Sequence, residues 1–163
     1  MSNKVALGGV TAALAVIFLC LGTVIPLTTF VWPMACMLLL CLVMPKLDSM
    51  IWTWYTAVAI LGMLLSPDKE AAALFVFLGW YPIIKLPLER YKLRIIYKAL
   101  IFNTAVFLMY WLLISLLGMA YLKQELFGEG LWLTGLILLL GNAIFFMLDR
   151  ILGFLLRMTA SRQ

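Results

Sequence analysis

Asp149 is the one acidic residue inside the apolar segments of this 163-residue chain, and Lys85 and Lys98 lie near the ends of two other segments. A lone charge in hydrocarbon is unfavourable unless it is paired. Lys85 either snorkels to the headgroups, or it or Lys98 pairs with the acid and joins the last three apolar segments; each is a structural role rather than a ligand contact. Asn103 and Asn142 lie deep in the last two segments. An amide there needs a hydrogen-bond partner, which is either another helix or a ligand. Asn142 falls near mid-membrane or slightly outward, so it is a candidate to hold a polar group of a small molecule. Thr28, Thr29 and Trp32 on the first outer turn, and Tyr110 and Trp111 in the fifth segment, occupy the same outer half. Together with Asn142, Ser115, Trp132 and Thr134 they would line a small aromatic-rich cavity, the usual composition of a small-molecule site. Trp and Tyr are equally at home as interfacial anchors, and Trp52, Trp54, Trp132 and Tyr121 are read that way.

What is missing narrows the chemistry. The chain has no histidine, no paired carboxylates within an apolar segment and no Gly-rich phosphate loop. General acid–base catalysis, phosphoryl transfer and an imidazole metal site all lack their usual groups. No catalytic residue, metal or cofactor is expected, and an enzyme is disfavoured. Cys20, Cys36 and Cys41 sit in apolar surroundings and read as small packing residues. The net charge of +5 does not indicate nucleic acid, because most of the positive residues flank apolar segments.

Those segments define the elements. Hydrophobic residues make up 66% of the chain and charged residues 12%, far from the balance of a soluble domain. A crossing helix needs roughly 20 apolar residues. Six runs approach that length, at about 5–25, 30–44, 50–65, 71–88, 95–117 and 131–156, and predict a single all-α, polytopic membrane domain over 1–163. Transmembrane β-strands alternate apolar and polar residues, whereas these runs are continuously apolar. The first run reads as a retained span. The second is short and ends at Pro45, and Ser49 is placed to cap the third. Ser66-Pro67-Asp68 is a stop and restart, with Ser66 as a candidate cap. Pro82 and Pro87 flank Lys85 and predict a bend or hinge in the fourth run.

The connectors are sorted by charge. With Lys4 inside, ten of the twelve basic residues share its side, and only Lys69 and Lys123 are opposite, each beside two acids. Orientation follows the Lys/Arg bias of short loops, so both termini are expected in the cytoplasm. The connector carrying Arg90, Lys92, Arg94 and Lys98 would then meet anionic lipid or a partner's acidic face.

Near its cytoplasmic end the first run carries Ala6-Leu-Gly8-Gly9-Val-Thr-Ala12-Ala13-Leu-Ala15. Gly8/Ala12 and Gly9/Ala13 are pairs four apart, a smooth strip where another backbone can approach closely. The strip serves either internal packing or docking of a second membrane subunit. Size, six-helix topology and this strip resemble the substrate-binding S component of energy-coupling factor transporters. The family's alanine pair four apart is replaced here by Gly/Ala pairs.

That resemblance implies a bacterial inner-membrane subunit that captures a vitamin or similar micronutrient in an outward pocket. It implies docking of the first helix, here Gly8, Gly9, Ala12 and Ala13, on a scaffold subunit that carries cytoplasmic ATPases. Thr28, Thr29, Trp32, Tyr110, Trp111 and Asn142 would be pocket residues by position. The chain offers no nucleotide site of its own, in keeping with a partner ATPase. The alternative is a non-transport scaffold or accessory subunit that stabilises another membrane protein.

Overall fold

In hydrocarbon every backbone N–H and C=O must find its partner within the protein, which continuous apolar sequence achieves by forming helices. The computed structural model describes residues 2–22, 29–119 and 131–160. Among them 88% are helical and none is in a strand. The elements are α1 (Ser2–Leu21), α2 (Val31–Leu47), a 3-10 turn (Asp48–Met50), α3 (Ile51–Leu65), α4 (Lys69–Leu78), α5 (Tyr81–Leu88), α6 (Arg94–Ser115) and α7 (Leu131–Ala160). By length and composition five helical stretches suit a membrane crossing, with 31–65 counted as one.

The stretch 31–65 is not straight. Asp48 has a φ of 48°, a left-handed conformation rare outside glycine and asparagine, and it separates α2 from α3. On either side the two helices run in opposite senses along α1. A Cβ on Gly8 would lie 3.3 Å from Leu47, Cys36 Sγ donates to the Ala15 carbonyl, and Trp32 packs on Phe18. α2 is thus antiparallel to α1. Trp54 Nε1 donates to Thr11 Oγ1, and a Cβ on Gly62 would lie 2.6 Å from Leu19. α3 is therefore parallel to α1. The expected stop at Pro45 is corrected: α2 continues to Leu47, because a proline in the last turn forfeits only one helical hydrogen bond. Ser49 does not cap α3, whose N-cap is Met50 without a side-chain bond.

The same alternation continues. Tyr55 OH donates to the Val76 carbonyl, and Lys69 Nζ reaches the Met63 carbonyl at 2.8 Å, so α4 returns along α3. Lys98 near Glu89 and Tyr110 bonded to Glu70 set α6 antiparallel to α4 and α5. Lys98 with Asp149 and Asn103 with Asn142 set α7 antiparallel to α6. Asp68, not Ser66, caps α4, its carboxylate accepting from Ala71 N at 3.0 Å. Ser66 is buried instead, and its hydroxyl donates to the Leu19 carbonyl at 3.0 Å. That carbonyl is in the last described turn of α1.

Two apolar clusters share the middle of the bundle. One joins α1, α2 and α3 around Leu19, Leu40 and Trp54, with Phe75 of α4. The other joins α2, α4, α5, α6 and α7 around Met37, Tyr81, Met109 and Phe145. Helices α2 and α4 contribute to both, so the halves are one packed body. Outward-facing Val10, Leu64, Phe107 and Leu139 are each about two-thirds exposed or more, as lipid-facing residues are.

Candidate functional site

The densest chemistry lies where α5, α6 and α7 meet at their basic end. Gly79 and Trp80 break the fourth run, and Pro82 sits in the first turn of α5, where its missing N–H costs nothing. That restart aims Tyr81 and Lys85, one turn apart, at α7. Asp149 accepts from both, and its other oxygen lies 2.7 Å from Lys98 Nζ of α6. Glu89 closes the set, 3.1 Å from Lys85 Nζ and 3.8 Å from Lys98 Nζ. Lys85 is 1% exposed, Lys98 5% and Asp149 8%. Two ammonium groups against two carboxylates leave the cluster neutral, which is how such groups tolerate burial. Gly153 makes room for it, since a Cβ there would lie 3.3 Å from Lys85 Cε.

Farther into the bundle Asn103 and Asn142 form a reciprocal amide pair. Asn142 Nδ2 donates to Asn103 Oδ1 at 3.0 Å, and Asn103 Nδ2 donates to Asn142 Oδ1 at 3.2 Å. Each also donates to the carbonyl four residues back, Leu138 or Ala99. Both amides thus have all donor protons in use. Phe102 stacks on Phe145 at 4.8 Å between this pair and the ionic cluster.

Each residue read as part of an outer pocket has, where described, its own setting. Thr28 lies outside the described residues. Thr29 is half-buried, and Trp32 is half-buried against Phe18, with ring centroids 5.8 Å apart. Tyr110 OH donates to Glu70 Oε1 at 2.6 Å. Trp111 is 58% exposed on the outside of α6, and Asn142 is held by Asn103. Of the aromatic anchors, Trp52 and Trp132 are exposed, Tyr121 lies outside the described residues, and Trp54 is buried with its indole on Thr11.

The small-residue strip divides. Gly8 and Ala12 are half-buried and line an apolar groove of about 200 Å³ with Leu47, Met50 and Trp54. Gly9 and Ala13 are exposed, with nothing within 4 Å of a Cβ built on Gly9. A second groove, of about 580 Å³, opens in front of the ionic cluster. The sequence reading missed the contribution of Tyr81 and Glu89 to that cluster. Their spacing around Lys85, four residues before and four after, places all three on one helical face and was the available signal.

Comparisons with known proteins found no matching family model, no similar curated protein and no similar solved structure.

Proposed function

We propose that this chain is the substrate-capture subunit of an energy-coupling-factor-type importer for a vitamin or similar micronutrient. In this reading it crosses a bacterial inner membrane six times, with both termini in the cytoplasm. The opposite senses of α2 and α3 along α1, and the reversal at Asp48, support counting 31–65 as two crossings. The charge sorting of the sequence supports the orientation. A partner scaffold with cytoplasmic ATPases supplies the energy, and the cargo sits toward the outer end near Thr28, Thr29, Trp32, Tyr110 and Trp111.

The observation that carries this reading is the open face of α1. Gly9 presents bare backbone on an apolar groove and Ala13 a single exposed methyl group next to it, while the neighbouring faces of α1 are packed on α2 and α3. Small residues in that arrangement allow a second helix to approach closely. The test is affinity purification of the full chain from a native-like membrane. A co-purifying ATPase module and a bound small molecule identifiable by mass spectrometry are expected. Gly9→Leu should release the module and leave the fold intact. Absence of both module and ligand across a micronutrient panel overturns the reading.

A second reading, a non-transport accessory subunit, is favoured by the closed Asn103–Asn142 pair and the outward Trp111, which leave two expected cargo contacts engaged or turned away. It expects a partner without ATPase subunits and no effect of Trp111→Ala on that partner's function.

A further inference from the structure

We propose that the groove between α6 and α7 at the basic end binds the phosphate headgroup of an anionic phospholipid. The inference is independent of the transport reading and needs only that this end lie at a membrane surface. Arg94, Arg150 and Arg157 line the groove, together with Ile95, Phe146 and Phe154. All three arginines are exposed, and none makes an ion pair with a carboxylate among the described residues. The lysines behind them are already balanced by Asp149 and Glu89, so three positive charges are left over at the mouth. Phosphate is the anion that suits guanidinium groups, which offer parallel N–H donors to its oxygens.

The walls select a lipid over an acidic protein surface. Phe146, Arg150, Phe154 and Arg157 recur at intervals of three and four, with Gly153 next to Phe154, one stripe along α7. Arg94 and Ile95 begin α6 opposite it. Charged and apolar side chains therefore share one face, and Ile95 and Phe154 are each 64% exposed beside it. An acyl chain can lie along those side chains while its headgroup meets the arginines. A protein carboxylate would need no such apolar wall. Gly153 adds depth, because the stripe narrows to backbone where Lys85 approaches.

The full chain in mixed micelles with dioleoylphosphatidylglycerol or dioleoylphosphatidylcholine, read by native mass spectrometry, tests this. One phosphatidylglycerol retained per chain in preference to phosphatidylcholine is expected. Loss of a charge-assisted hydrogen bond to the phosphate predicts weakening of about tenfold for each of Arg94→Gln, Arg150→Gln and Arg157→Gln. The control Arg90→Gln/Lys92→Gln removes two charges from the same connector outside the groove and should leave retention unchanged. Equal retention of both lipids, or equal loss in the control, overturns the site. Displacement of the lipid by millimolar inorganic phosphate also overturns it, by making the groove a free-phosphate site. The single variants carry the test if the triple variant does not survive purification.

Discussion

Asp149 shows how a costly residue is held in this bundle. It receives Tyr81, Lys85 and Lys98 from two other helices, so its removal leaves two buried ammonium groups with Glu89 as their only carboxylate among the described residues. Breaking a buried pair from one side costs about 3–5 kcal/mol. Asp149→Asn is therefore expected to lower thermal stability in detergent far more than Arg150→Gln, one residue along but exposed. A melting temperature equal to that of the native chain would mean the cluster is not a structural tie. The amide pair makes a smaller claim. Interhelical hydrogen bonds in membranes average about 0.6 kcal/mol and reach about 1.7. Asn103→Ala and Asn142→Ala should each destabilise, and the double variant should lose little more than either single one. Additive losses in that double-mutant cycle would free Asn142 for another role.

Helix contacts explain what could be read in advance and what could not. Long apolar runs bounded by Ser66-Pro67, Glu89-Arg90 and the Gly118 region set the helix extents within a few residues. Rotation about each helix axis was not legible, because a run that is apolar all round carries no periodic sign of its buried face. Trp54 and Trp52 are both interfacial by sequence, yet one is buried on Thr11 and the other faces out. Ser66 and Asp68 are both capping residue types, and the choice fell to Asp68 because Ser66 is drawn to the end of α1. The outer-pocket set was chosen on the same footing: depth along a helix was known and azimuth was not. Glycine tests the packing at this scale. At Gly79 a Cβ would lie 2.4 Å from the Phe75 carbonyl, which is backbone. At Gly62 it would meet the tip of Leu19, a flexible side chain. Overpacking costs about 1–3 kcal/mol, so Gly79→Ala should fall toward the upper end and Gly62→Ala toward the lower. Equal melting temperatures for the two variants would contradict this packing.

At the scale of the whole molecule the alternation of helix sense carries one consequence that charge alone does not. The antiparallel pairs bring the start of α1, the turn at Asp48, the α5–α6 connector and the end of α7 to one end of the bundle. The turn at Ser66–Asp68 lies at the other, against the end of α1, where a Cβ on Gly22 would meet Asp68 at 2.8 Å. If the bundle stands across the bilayer with its basic end inside, sidedness must follow that grouping. Single cysteines at Asp48, Lys92 and Arg157, in a chain with Cys20, Cys36 and Cys41 replaced by alanine, should react with a membrane-impermeant thiol reagent only after the inner face is opened. A cysteine at Pro67 should react from the outside of intact cells. Asp48 decides between crossing counts: 35 residues of helix from 31 to 65 running straight would be about 52 Å long, well over a bilayer core. The folded turn halves that length, as the proposed six-crossing arrangement requires. Labelling of the cysteine at position 48 from outside would place that turn on the wrong surface and remove the six-crossing arrangement, whatever the charges suggest.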